Sequence, residues 1–161
     1  MQRRRDSSLK VLTILLLWLG GFSAAHPQDS TLAPALRALP GVYSVTVLPA
    51  LPGFAECFEL LFRLPLDHQR PDGPSFLQRV YLSHVTPDRP TVLETEGYAA
   101  PRNHPTELAG ILNGNQLLVE HRYFGRSRPD SLIWEFLTLK QSADDLHEIV
   151  TALKRLYGGK W

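Results

Sequence analysis

The chain has 161 residues, enough for one domain, and its charge and cysteine content exclude several functional classes. The first 25 residues carry four of the 17 Lys and Arg and one of the 16 Asp and Glu, which leaves 13 basic against 15 acidic side chains. This slightly acidic balance argues against binding to nucleic acid or to an anionic membrane surface, both of which favour basic proteins. A single cysteine, Cys57, excludes an internal disulfide, and its apolar neighbours predict a small buried side chain.

Residues 1–25 are predicted to be a signal peptide. A basic start is followed by the apolar run Val11 to Phe22 and then by the small residues that end at Ala25. As a helix the apolar run rises about 18 Å, too little for a hydrocarbon core of about 30 Å. We expect cleavage after Ala25, a secreted or periplasmic protein, and no membrane contact after cleavage. The alternative is an uncleaved membrane anchor.

Residues 26–41 form a lead-in segment that is either ordered or a flexible linker, with a short helical turn around 33–39. The rest of the chain, 42–161, is predicted to be one domain. Its first half consists of β-branched, aromatic or apolar runs separated by Pro, Gly and Asp. These runs predict strands at 42–48, 56–64, 76–85 and 91–95.

The second half alternates helix and strand. A short helix is predicted over Pro105 to Leu112 with Pro in its first turn, and an apolar run predicts a strand over 117–120. A long amphipathic helix follows over 139–157. Strands that come first and a βαβα pattern that follows predict an α/β domain with a mixed sheet whose N-terminal part is antiparallel.

The last helix is the best-marked element. Thr138 and Gln141 have the spacing of a capping box, and Gly158 and Gly159 are predicted to end the helix. Acidic residues and a histidine cluster over 144–148. We interpret this cluster as a solvated face opposite the apolar stripe rather than as a site.

Few residues have a spacing that indicates catalysis. The six histidines lack metal-ligand spacing, so we predict no metal site and no cofactor. His121 could act as a general base, but we interpret it as structural, with Glu120 and Arg122 as partners in a buried ion pair. Ser127 does not fit the pattern G-x-S-x-G of a nucleophile. We therefore assign no catalytic residue in this chain.

The turn Glu96-Gly97-Tyr98 is more suggestive. A glycine directly after a short strand lets the backbone turn sharply and present N–H groups to an anion. Serine hydrolases of α/β architecture take one N–H of the oxyanion hole from such a loop. The alternative is an ordinary turn between a strand and a helix.

Four segments together resemble serine peptidase family 37, the PS-10 peptidases. They are LPLDHQRPDGPSFLQRVYLSHV (64–85), TVLETEGY (91–98), NQLLVEHRYFGRSRP (115–129) and LTLKQSADDLHEIVTALKRLYGGKW (137–161). The resemblance implies a secreted tripeptidyl aminopeptidase of the α/β-hydrolase fold, which cleaves short peptides from free N-termini with a Ser–Asp–His triad. It implies that 42–161 is the N-terminal half of that domain, truncated before the nucleophile elbow, and that Gly97 and Tyr98 belong to the oxyanion hole.

Two classes of function stay open at this point. The first is the N-terminal portion of a serine aminopeptidase, inactive alone and poorly soluble or molten in isolation; a variant of it has the C-terminal half supplied in trans. The alternative is a secreted non-catalytic module that binds a peptide or another partner along an open sheet edge.

Overall fold

A computed structural model describes residues 30–161, so the predicted signal peptide lies outside the described residues. This part of the chain is a mixed α/β domain. The strands are β1 (Val42–Leu48), β2 (Glu56–Pro65), β3 (Ser75–His84), β4 (Thr91–Thr95) and β5 (Asn115–Val119). The helices are α1 (Ala33–Arg37), α2 (Glu107–Leu112) and α3 (Leu139–Leu153), with a short 3₁₀ turn at Trp134–Phe136.

The five strands form one sheet in the order β1-β2-β3-β5-β4. The loops 49–55 and 66–74 join the first three strands, which pair antiparallel, and β5 is also antiparallel to β3. The connection through α2 then returns the chain so that β4 and β5 are parallel. The prediction of a mixed α/β domain whose N-terminal strands are antiparallel is therefore confirmed.

The main core lies between one face of the sheet and the helices α1 and α3. Leu36 of α1 and Ile149 and Leu153 of α3 are fully buried against the apolar side chains of β2, β3 and β5. A smaller cluster of Tyr81, Ala100 and Leu118 forms a second apolar contact. Since α1 takes part in the core, the described part of the lead-in segment, residues 30–41, packs as part of the domain.

The strand β5 begins two residues before the predicted position, at two polar residues that are completely buried. Asn115 accepts a hydrogen bond from the Val85 N–H and donates to the Thr86 carbonyl. Gln116 accepts from the Thr106 N–H and donates to the His104 carbonyl. These side chains hold the loops that flank the strand, and their full pairing offsets the cost of burying amides.

The helix α3 is shorter than predicted and ends at Leu153, because turns follow before Gly158. Thr138 Oγ1 accepts from the Gln141 N–H as expected for an N-cap. The Gln141 side chain, however, does not return to close a capping box. It accepts from the His68 N–H and donates to Asp67, so it ties α3 to the turn between β2 and β3.

Cys57 lies on β2 and is fully buried, with its Sγ 3.6 Å from Ser83 Oγ on β3. The prediction of a buried cysteine is confirmed. No helix within 30–161 combines the length and the hydropathy that a membrane span requires.

Candidate functional site

Two loops meet where the neighbouring parallel strands β4 and β5 end. The β4 loop comprises residues 96–100, and the β5 loop comprises residues 120–127. Because β4 and β5 are parallel and adjacent, these loops both lie at the carboxyl end of the two strands. Ligands of open α/β sheets bind outside the carboxyl ends of the parallel strands.

The two loops are fastened to each other. The His121 N–H donates to the Tyr98 carbonyl at 3.1 Å, and the Ala100 N–H donates to Glu120 Oε1 at 2.9 Å. The Tyr98 ring meets the Phe124 ring edge to face, with centroids 5.2 Å apart. The course of the β4 loop therefore depends on the β5 loop.

Gly97 and Tyr98, the predicted oxyanion residues, lie on the exposed side of the β4 loop. The Tyr98 side chain is 71% exposed. Within residues 30–161, neither residue's N–H donates a hydrogen bond to a protein acceptor. Gly97 has no left-handed φ, and a Cβ there would meet no atom within 4 Å. The turn itself thus does not require glycine, and the space above Gly97 is open.

The β5 loop has an unusual backbone. Tyr123 adopts a φ of 72°, a left-handed conformation that is costly for an aromatic residue, and Gly125 has a φ of 50°. The Tyr123 N–H donates to the Ser127 carbonyl, and its hydroxyl donates to the Ile133 carbonyl at 2.5 Å. Burial raises the pKa of the Tyr123 hydroxyl, so it remains a neutral donor.

Glu120 and Arg122 are both fully buried in ion pairs, but neither pairs with the other or with His121. Glu120 pairs with Arg79 of β3. Arg122 pairs with Asp145 of α3 through two hydrogen bonds of 2.7 and 2.9 Å. The interpretation of Glu120 and Arg122 as partners of one local ion pair is therefore wrong, because each finds its opposite charge on a distant element.

Asp145 does not belong to a solvated face, as the cluster 144–148 had suggested, because it is fully buried. The guanidinium of Arg122 uses every donor: besides Asp145 it donates to the carbonyls of Pro65, Leu66 and Phe136. Burial of this cation needs a counterion, and Asp145 supplies it from the side of α3 that faces the sheet. One signal existed in the sequence: Asp145 lies four residues before the buried Ile149 and four after Gln141.

His68 extends this ion pair toward the surface. Its Nε2 lies 2.7 Å from Asp145 Oδ1, and its Nδ1 lies 3.0 Å from Glu148 Oε1. The hydrogen bond with Asp145, together with the charges of both carboxylates, raises the pKa of His68 in spite of its burial. When it is protonated, the imidazole donates to both carboxylates and joins the turn after β2 to α3.

His121 is bonded at both ring nitrogens. Its Nδ1 lies 2.8 Å from the Arg122 carbonyl, and its Nε2 lies 3.1 Å from Ser142 Oγ. Ser142 sits in the first turn of α3 and also donates to the Thr138 carbonyl. A catalytic pair needs a nucleophile on an exposed turn and an acid that orients the imidazole, and neither accompanies this pair. The contacts favour the structural interpretation of His121.

The part of the chain from 30 to 161 contains no group of three or more His, Cys, Asp or Glu side chains placed to hold a metal ion. Ser127 is buried, and its hydroxyl donates to Glu120 Oε2 at 2.7 Å. It accepts in turn from the Arg79 N–H. Ser127 is thus part of the support beneath the β5 loop.

These loops lie in a mixed α/β domain of the kind that carries its functional groups at the carboxyl ends of parallel strands. Residues 25–161 match the family model described as PS-10 peptidase S37, and the chain belongs to this family. The resemblance found in the four sequence segments is therefore confirmed.

A characterised relative is similar over nearly the whole chain. The prolyl tri/tetrapeptidyl aminopeptidase of Streptomyces mobaraensis is 34% identical over 166 residues, an alignment that covers 99% of this chain and 34% of the relative. The chain thus spans about a third of the length of this relative.

Proposed function

We propose that this chain forms the N-terminal part of a secreted serine aminopeptidase that removes tri- or tetrapeptides from the free N-terminus of a peptide. Residues 42–161 would be the first part of an α/β-hydrolase domain, and the triad would come from residues outside this chain, within one polypeptide or in trans. Membership of the peptidase family S37 and the name of the relative support the reaction class.

The sheet supports the hydrolase fold. Antiparallel strands lead into a β4–α2–β5 unit, and the crossover inserts β5 between β3 and β4. The outer edge of β4 is open along most of its length to a further parallel strand. The Thr91 N–H at the start of this edge donates to the Lys160 carbonyl at 2.7 Å, so the chain after α3 runs beside β4. A strand that continued along this edge would end beside the β4 loop.

One observation carries the proposal for the site: at the carboxyl ends of the parallel strands, the N–H of Tyr98 has no acceptor among residues 30–161. Hydrolysis of a peptide bond passes through a tetrahedral oxyanion, and backbone N–H groups held in place stabilise that charge. The open space above Gly97 leaves room for the scissile carbonyl. We assign the Tyr98 N–H to the oxyanion hole.

The test is made in the full-length protein with a tripeptidyl chromogenic substrate. Replacing Tyr98 by its α-hydroxy acid converts the N–H into an ester oxygen and should lower kcat about 100- to 1000-fold, the usual loss for one oxyanion donor. Since this N–H has no acceptor in the described part of the chain, the unfolding midpoint should not change. The matched control is the same replacement at Leu108, another exposed residue, in the first turn of α2.

Two results would contradict the proposal separately. If the unaltered full-length protein hydrolysed no substrate with a free N-terminus, the peptidase assignment would be wrong. If the unaltered protein hydrolysed the substrate and the variant with the ester at Tyr98 had the same kcat, only the assignment of Tyr98 to the oxyanion hole would be wrong.

One feature favours the alternative of a non-catalytic peptide-binding module. The strand β1 lies at the other edge of the sheet and pairs on one side only, and its Tyr43 and Val47 are exposed. An extended peptide can add to such an edge through backbone hydrogen bonds. Peptide binding without hydrolysis, abolished by a proline at Val47, would support this alternative.

A further inference from the structure

The carboxylate of Glu120 collects hydrogen bonds from three separate segments of the chain. Oε1 accepts from Arg79 Nη2 and from the Ala100 N–H, whereas Oε2 accepts from Ser127 Oγ and from the Arg126 and Ser127 N–H groups. The side chain has no exposed surface. A carboxylate with this number of donors holds its position and orientation firmly.

Charge compensation alone does not require this arrangement. Arg79 suffices as counterion, yet three of the five donors are backbone N–H groups, and they come from both the β4 loop and the β5 loop. The Ala100 N–H and the two N–H groups of the β5 loop bind different oxygen atoms. The carboxylate therefore fixes the separation of the two loops.

The backbone of the β5 loop passes so close to this carboxylate that a side chain does not fit. A Cβ at Gly125 would lie 2.1 Å from Glu120 Oε1 and 3.1 Å from the Cβ of Ala99. Gly125 also has a φ of 50°. Glycine is needed here because the loop must close over the Glu120 carboxylate and reach the β4 loop at the same point.

The proposed oxyanion residue is attached through its own carbonyl and lies two residues from the contact with Glu120. The Tyr98 carbonyl accepts from the His121 N–H, and the Ala100 N–H, two residues further along, binds Glu120. We propose that Glu120 is a positioning residue, which holds the β4 loop so that the Tyr98 N–H faces the reacting carbonyl. This inference rests on the proposed function and names the group that supports its site.

The first experiment removes the negative charge without changing the size of the side chain. In Glu120→Gln the amide nitrogen replaces one carboxylate oxygen and cannot accept a hydrogen bond. The donors that bind this oxygen in the unaltered protein therefore lose their acceptor. We expect kcat to fall about 10- to 100-fold, the usual range for a displaced catalytic group, with KM changed less than about twofold. A transition-state analogue such as a peptidyl boronic acid should lose affinity by the same factor as kcat, whereas a product tripeptide should not.

A matched pair of backbone esters separates positioning from general stability. The α-hydroxy acid at Ala100 removes the one hydrogen bond from the β4 loop to Glu120, and that at Arg126 removes a hydrogen bond of equal length from the β5 loop. Both should lower the unfolding midpoint, but only the ester at Ala100 should lower kcat. Equal effects of both esters on kcat would overturn the positioning role.

Amide hydrogen exchange tests the inference independently of activity. In Glu120→Gln the amides of Ala100 and His121 should exchange at least about tenfold faster, because each opens with the β4 loop. If the full-length protein proves inactive, the proposed function fails, and exchange still decides whether Glu120 orders this loop. Unchanged exchange at both amides would overturn the inference in either case.

Discussion

Two buried ion pairs of arginine and carboxylate involve neighbouring residues of the β5 loop, Glu120 and Arg122, and they stabilise different parts of the domain. Arg79–Glu120 and Arg122–Asp145 are both almost completely excluded from solvent. In the first pair the carboxylate is the centre, and it accepts mostly from backbone N–H groups of loops. In the second pair the guanidinium is the centre, and it donates to carbonyls at the ends of elements as well as to Asp145 on α3.

The comparison shows that the same pairing has two structural uses. Arg122 joins α3 to the end of β2 and to the 3₁₀ turn, so its loss should affect the whole fold. Glu120 orders two loops at one edge of the sheet, so its loss should affect the site most.

The largest effect should come from breaking the pair on α3. Asp145→Asn leaves a buried guanidinium without its counterion, and we expect a loss of about 3–5 kcal/mol in the free energy of unfolding. Asp144→Asn is the matched control, because this neighbour is partly exposed and pairs with Lys140; its effect should be much smaller than that of Asp145→Asn. Denaturant unfolding measures both, and equal losses would contradict the role of Asp145 as the buried counterion of Arg122.

Gly125→Ala should disturb the other pair. The added methyl group meets the Glu120 carboxylate at a backbone conformation unfavourable for alanine, and we expect a loss of about 2–4 kcal/mol. Gly110→Ala serves as the control, since a Cβ there meets no atom within 4 Å, and it should gain up to about 1 kcal/mol of helix propensity. A tolerated Gly125→Ala would show that the two loops are less tightly joined than the contacts indicate.

His68 should make the α3 pair sensitive to pH. Its pKa is raised in the folded state, above all by Asp145, while Glu148 and the nearby Asp144 also face it with negative charge. The stabilisation is thus fully present below the unfolded pKa of about 6.5 and is lost as pH rises through the folded pKa. Unfolding midpoints measured from pH 5 to 9 should keep this contribution up to about pH 6.5 and lose it as the pH rises further. His68→Gln should flatten this change, and an unchanged profile would contradict the prediction.

The smallest effect should come from an exposed pair on the same helix. Lys140 lies one turn before Asp144 and is 66% exposed, so Lys140→Ala should change the free energy of unfolding by no more than about 0.5 kcal/mol. Salt should abolish this difference, while it should leave the effect of Asp145→Asn largely intact. A larger loss for Lys140→Ala would show that burial is not what separates these pairs.

The strands and α3 could be predicted from the sequence because apolar patterns and turn residues are local signals. The start of β5 could not, since Asn115 and Gln116 are buried through partners in distant loops. The same holds for the ion pairs: Glu120 lies 41 residues from Arg79, and Arg122 lies 23 residues from Asp145. A charged residue at the end of a buried strand indicates that a counterion is needed, but the sequence does not indicate which element provides that counterion.

The position of the single cysteine makes the domain suitable for a kinetic measurement. Cys57 is the second residue of β2 and has no exposed surface, and its Sγ accepts from the Leu51 N–H, so a thiol reagent reaches it only after the loop 49–55 or β2 itself opens. The labelling rate under native conditions therefore reports the free energy of that opening. Because these 161 residues contain one thiol, mass spectrometry of this part of the chain gives the modified fraction without correction for a second site.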